Sequence, residues 1–269
     1  MNAHEHFQAG SLQEAVAAGL QDVKSHPSDA GKRRFLCELL CFTGDLERAD
    51  RQLDAMGQLI SDDSEDLVSI SLFRQLIRGE QARRQFYSEG RLPEFLNNEV
   101  TPHLRRHLEA AVLLREGKQA EAAGVLALAE ERRPKIHGAC NGQPFDDLRD
   151  LDDLTSSFFE VLTSTGKYYW IPVDSVELVE FRAPVRPRDL LWRRAHMIVR
   201  AGPDGEVFLP ALYAGAAADP DDRIRLGRST EWRGDAPVRG FGQRMFLIGD
   251  DAHSIMELQS LSIDLAPAA

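Results

Sequence analysis

The chain contains little that would mark it as secreted, membrane-spanning or polyanion-binding. Three cysteines in 269 residues, Cys37, Cys41 and Cys140, are an odd number without framework spacing, which excludes a disulfide scaffold and points to a reducing compartment. The amino terminus, MNAHEHFQAG, has neither a basic region nor an apolar run, so no secretory leader is read there. Every apolar stretch falls well short of the roughly 20 residues of a membrane-spanning helix. Positive charge is also scarce: the net charge of -11 is shared by both halves, with 17 basic against 22 acidic residues in 1–134 and 15 against 21 in 135–269. Neither half has the bulk charge of a nucleic-acid or anionic-membrane binder. The expected location is the cytoplasm.

Catalytic signatures are missing too. There is no G-x-S-x-G, no Ser-x-x-Lys, no cysteine with a plausible histidine and no phosphate-binding glycine loop. The GFGQR stretch at 240–244 lacks a strand-then-helix setting and reads as the entry to a strand. His103 and His107 are an i,i+4 pair without a carboxylate signature. His137 with Cys140 makes only half of a zinc site. No cofactor and no metal are expected.

What is present is periodic. In 11–26 the residues Leu12, Ala15, Val16, Leu20 and Val23 recur at helical spacing, with Ser11 available as N-cap. AGKRRFLCELLCF, ending before Gly44, reads as a second helix whose two cysteines are small buried residues, and GDLERADRQL starts a third. SEDLVSISLFRQLIRGEQARRQF is a longer helical stretch, and TPHLRRHLEAAVLL is a helix with Thr101 as N-cap and Pro102 at its first position.

These helices carry an internal echo. Gly10-Ser-Leu-Gln-Glu-Ala15 and Gly44-Asp-Leu-Glu-Arg-Ala49 align at an offset of 34, the tetratricopeptide period, and the Gly–Ala pair lets antiparallel helices approach closely. Gly117-Lys-Gln-Ala-Glu-Ala122 repeats the pattern 73 residues beyond Gly44, so the array is irregular and TPR-like. Helical hairpins sharing turn chemistry by chance are the plainer alternative.

Past Pro134 the composition changes, and HGACNGQP reads as a linker with the domain boundary near 135–144. Residues 1–136 then form a TPR-like helical domain and 137–269 a second one. FDDLRDLDDLTSSFFEVLTSTG reads as a leading helix with Leu148, Leu151, Thr155, Phe158, Phe159 and Leu162 on one face. After it, RRAHMIVRAGPDGEVFLPALY and GFGQRMFLIGDDAHSIMELQSLSI read as two hairpins of a small antiparallel β sheet or barrel. The fold class expected is α+β.

The acidic string Asp146, Asp147, Asp150, Asp152, Asp153 suggests a hard cation at first sight. On a helix, however, Asp150 would point away from the apolar face and Asp153 lie far round from it. Solvation and capping then explain most of the string. Asp152 alone lies near the buried edge and would need an arginine partner. Six arginines in 182–200 stand against one acid, Asp189, and arginine favours fixed pairs with carboxylates. A basic stripe with Trp192 could instead bind RNA, but no stacking pattern accompanies it. The preferred reading joins Asp189 to a neighbouring arginine, puts Trp192 in the core of the β part, and lets Arg193 or Arg194 reach Asp152.

DLRDLDD (147–153), YYWIP (168–172), RPRDLLWRRA (186–195), GEVFLPALY (205–213), RLGRSTEW (225–232) and RGFGQRMFLIGD (239–250), in order, resemble the ImpE (TagJ) family of type VI secretion accessory proteins. GSLQEA and LCFTGDLERA resemble its helical N-terminal part. The resemblance implies a non-enzymatic cytoplasmic protein with a TPR-like domain and an unusual β-containing domain, acting on the contractile sheath. In that family some members bind the N-terminal helix of the small sheath subunit. It marks Asp152, Asp153, Asp189, Trp192, Arg193, Arg228, Trp232 and Arg244 as motif positions of structural role, and carries over no catalytic residue. The expected partner is protein, with neither nucleic acid nor membrane involved. The alternatives are a general peptide-binding scaffold unconnected with secretion, which gene neighbourhood would distinguish, and an enzyme using Asp152 or Asp189, which requires an open polar cleft around them.

Overall fold

The computed structural model describes residues 1–58 and 65–264. Its first half is helical: α1 (Ala3–Ala9), α2 (Leu12–Ser25), α3 (Ala30–Phe42), α4 (Leu46–Gly57), α5 (Glu65–Glu89), α6 (Pro102–Arg115) and α7 (Gln119–Glu131). The echo in the sequence is an echo in space. Gly10, Gly44 and Gly117 adopt φ of +87°, +83° and +76°, a conformation that costs glycine little, and each closes the turn between two antiparallel helices. The alanines five residues on, Ala15, Ala49 and Ala122, are each fully buried where the helices meet. Thr101 caps α6 as expected, through Leu104 N at 3.3 Å. Ser11 does not cap α2; the Leu12 amide instead donates to Asp222 Oδ2 at 2.8 Å, from the far end of the chain.

The second half is mostly β: β1 (Gly138–Cys140), β2 (Gln143–Phe145), β3 (Leu148–Asp150), β4 (Phe158–Leu162), β5 (Tyr168–Pro172), β6 (Val176–Phe181), β7 (Trp192–Val199), β8 (Asp204–Pro210), β9 (Thr230–Arg233), β10 (Arg239–Gly242), β11 (Met245–Ile248), β12 (Asp251–Ser254) and β13 (Ser260–Ile263), with a single helical turn, α8 (Asp222–Arg225), before β9. An eight-stranded sheet runs in the order β2-β1-β13-β6-β7-β8-β4-β5, beside a three-stranded sheet β12-β11-β3 and a ribbon β10-β9. The fold is α+β.

Besides the Ser11 cap, three readings of the sequence are corrected. The leading helix expected over 145–166 is β3, a 3-10 turn at Asp153–Thr155 and β4. Every residue of β4 is buried because the strand is covered on both faces, so it shows no alternation, and a short apolar run of this kind is the case in which strand and helix look alike. HGACNGQP is not a linker but the β1–β2 hairpin. The β7–β8 hairpin is as expected, but the last one is tighter: β11 and β12 pair around Gly249 and Asp250, so DDAHS is largely strand, and β13 joins β1 and β6 in the large sheet.

Two cores result. One packs the helices against a face of the sheet that carries Phe158, Leu162, Trp170, Trp192 and Phe208; the other lies on the opposite face with Phe159, Val161, Ile171, Met197 and Leu209 beneath the three-stranded sheet. Successive residues of β4 therefore serve different cores. Glu160 points, with Phe158 and Leu162, toward the helices.

Candidate functional site

A carboxylate facing an apolar core must be matched. Glu160, 2% exposed, is: Oε1 accepts from Arg83 Nε (3.0 Å), Tyr87 Oη (3.0 Å) and Tyr168 Oη, and Oε2 accepts from Arg83 Nη2 (2.9 Å) and Arg244 Nη2. Burial alone would raise its pKa, but Arg83 and Arg244 hold the carboxyl down at about 2. Arg83 and Tyr87 come from α5, one turn apart on the face against the sheet. Arg83 also donates to Glu80 and to the carbonyl of Leu212, and Trp192 Nε1 donates to Glu80 at 3.2 Å. Arg244 continues the chain of contacts to Asp150, whose Oδ1 takes the Tyr213 hydroxyl at 2.7 Å. Polar groups from α5, β3, β4, β5, β7, the loop after β8 and the link between β10 and β11 thus meet at one buried junction.

Above this junction lies a cleft of about 490 Å³ between the α3–α4 turn, α5 and residues 212–218. Leu191, Leu212 and the run Ala216–Ala218 form apolar walls; Arg83 and Tyr87 lie at its base, already occupied by Glu160. Arg84 spans its rim, donating to the Gly44 carbonyl at 2.7 Å. The shape suits an inserted apolar side chain. The ionised groups at its floor, Glu80, Arg83 and Glu160, are matched to one another.

The motif residues take places that only partly follow the sequence reading. Asp152 is buried and does have an arginine partner, but it is Arg239, whose Nε lies 2.8 and 2.9 Å from the two carboxylate oxygens, with the Leu154 and Gly240 amides completing the shell. Neither Arg193 nor Arg194 reaches it: Arg193 donates to the carbonyls of Arg182, Met256 and Leu258, and Arg194 pairs with Glu206 across the hairpin. Asp150 is buried rather than turned to water, and Asp147 and Asp153 pair with Arg133 and Arg149, so arginine pairing accounts for most of the string, with capping confined to Asp152 and solvation to Asp146. Asp189 secures its own turn by accepting from the amides of Val185 and Arg186 at 2.8 and 2.9 Å; its nearest arginine contact, Arg188 Nε, is 4.0 Å away. Trp192, 2% exposed, fills the seam between α5 and the sheet, edge-on to Phe73 at 6.1 Å, rather than a core private to the β part. Arg228 donates to two carbonyls in the last turn of α1, those of Phe7 and Gln8. Trp232 stays 42% exposed beside Tyr213.

Asp152 is buried against Arg239, and Asp189 spends its carboxylate on the amides of its own turn. Among the described residues no three His, Cys, Asp or Glu side chains gather as metal ligands. His107 is a satisfied core histidine: Nδ1–H donates to the Leu154 carbonyl at 2.9 Å, Nε2 accepts from Ser157 Oγ at 2.7 Å, and burial drives its pKa down to about 3. The residues that sequence reasoning missed are Arg83, Tyr87, Glu160 and Arg239. Glu160 carried a signal, being the lone acid of an apolar run, FFEVL; Arg83 carried none, since α5 holds several arginines.

Known proteins share this architecture. The family model described as ImpE protein matches residues 142–262. The type VI secretion system accessory component TagJ of Pseudomonas aeruginosa is 32% identical over 265 residues, covering 98% of this chain and 92% of that protein. A crystal structure of a Vibrio parahaemolyticus protein superposes with a TM-score of 0.89 at 27% identity, over 97% of both chains. Among the described residues no helix is long and apolar enough to cross a membrane.

Proposed function

The chain belongs to the ImpE family of type VI secretion accessory proteins, and from that premise we propose that it is a non-enzymatic cytoplasmic adaptor of that system. In this reading the TPR-like part, 1–136, and the α+β part, 137–269, hold between them a helical segment of the contractile sheath's small subunit. The observation that carries it is the cleft of about 490 Å³ at their junction. An amphipathic helix docks by burying one apolar stripe in such a groove, and the walls of Leu191, Leu212 and Ala216–Ala218 offer the matching surface. The charges beneath it, Glu80, Arg83 and Glu160, are matched to one another and give the cleft a rigid floor, which supports binding over catalysis.

Isothermal titration of the full chain against the N-terminal helix peptide of that subunit tests the proposal. Binding is expected, weakened about tenfold or more by Ala218→Trp, which fills the cleft from an exposed wall position. An absence of heat at high micromolar peptide, or equal affinity for the variant, overturns it.

A further inference from the structure

The large and the three-stranded sheets end on free edge strands, β2 and β12, and both line a groove of about 650 Å³, within the size range of binding clefts. Its floor is apolar: Ile248 and Cys140 are 5% and 6% exposed, and Phe145 packs against the second core. Its rim is acidic. Asp146, Asp250 and Asp251 are exposed, and among the described residues His253 is the one residue of possible positive charge beside them, with no lysine or arginine lining the groove. This contrasts with the adjoining acids Asp147, Asp150, Asp152 and Asp153, each of which has its arginine. The rim carboxylates make no ion pair among the described residues, so their field faces outward over an apolar floor.

We propose that this groove docks a short segment of a partner protein carrying at least two lysines or arginines around an apolar side chain. The apolar residue enters between Phe145 and Ile248, and the cationic side chains reach Asp146 on one bank and Asp250 and Asp251 on the other. Pro144, in the middle of β2, has no amide to offer along the outer edge, so recognition rests on side chains rather than on addition of a full strand. The surface shares no residue with the cleft at the helix–sheet junction and does not depend on what binds there. A protein with two separate docking surfaces can bridge two partners.

Charge and proline at free edges also protect sheets from pairing with one another. That role alone predicts no binding, which makes the two readings separable. The full chain, amide-labelled for NMR, is titrated with the peptide Lys-Val-Arg-Val-Lys and, as control, Glu-Val-Glu-Val-Glu. The basic peptide is expected to shift amides in 140–146 and 248–253, with affinity falling several-fold between about 50 and about 300 mM salt. Asp250→Lys with Asp251→Lys is expected to weaken binding about tenfold or more while leaving the melting temperature in place, and the Asn pair to fall between. No shifts in these segments at about millimolar basic peptide, equal shifts with the acidic control, or binding indifferent to charge reversal each overturns the proposal.

Discussion

Arg83 and Glu160, 77 positions apart, form a two-bond buried pair, Nε to Oε1 at 3.0 Å and Nη2 to Oε2 at 2.9 Å, that fastens α5 to β4. Removing one partner of such a pair strands the other charge. Glu160→Gln leaves both Arg83 and Arg244 undercompensated and is expected to destabilise the protein by about 3–5 kcal/mol in denaturant unfolding. A change within about 0.5 kcal/mol would mean that the pair is hydrated in solution.

His107 sets part of the acid sensitivity. Its folded-state pKa of about 3 lies below the ordinary value of 6.5, so the unfolded chain binds the proton first. Its contribution is complete above pH 6.5 and is lost as pH falls toward 3, by about 1.4 kcal/mol per pH unit. The pH profile of unfolding free energy for His107→Gln should be flatter over that window than that of the natural chain. Parallel profiles would show that the folded protein takes up the proton.

Glu38 works in the opposite sense. It is 3% exposed on α3 and its Oε1 has no hydrogen-bond partner; burial, only partly offset by Arg188 and Arg186, pushes its pKa up to about 7. A carboxyl raised in the folded state is protonated there more readily than in the unfolded chain, so stability falls as pH rises from 4.5 through 7. Glu38→Gln should match the natural chain near pH 5 and exceed it at pH 8 by roughly 1–3 kcal/mol. Thermal melts at the two pH values decide the matter.

Trp192→Ala removes an aromatic at the seam and takes the indole donor from Glu80. The expected loss is about 3–5 kcal/mol. Trp192→Phe, which keeps most of the packing, should lose less. An unchanged melting temperature for the alanine variant would place the ring in solvent.

Asp222→Ala uncaps α2 from a distance of 210 residues. About 1 kcal/mol is expected, with faster hydrogen exchange at the start of α2 as the specific signature. If exchange there is unaltered, the cap is not formed in solution.

The helical half was readable because its information is local. Apolar spacing, the Gly–Ala turns at Gly10, Gly44 and Gly117 and the Thr101 cap all act within a few residues, and each has its counterpart in space. The β7–β8 hairpin, closed by a short turn, was readable for the same reason. The stretch from Leu148 to Leu162 was not, because coverage of β4 on both faces erases the alternation that identifies a strand.

The sequence by itself determined the fold class, the helical hairpins, the family and the need of Asp152 for an arginine. Only the tertiary structure decided which arginine. Six lay within 182–200, yet Asp152 took Arg239, and Arg83, with no local mark, took Glu160. Charge pairing is long-ranged along the chain and short-ranged in space. Partner choice in a buried network therefore follows from which strands the sheet places side by side.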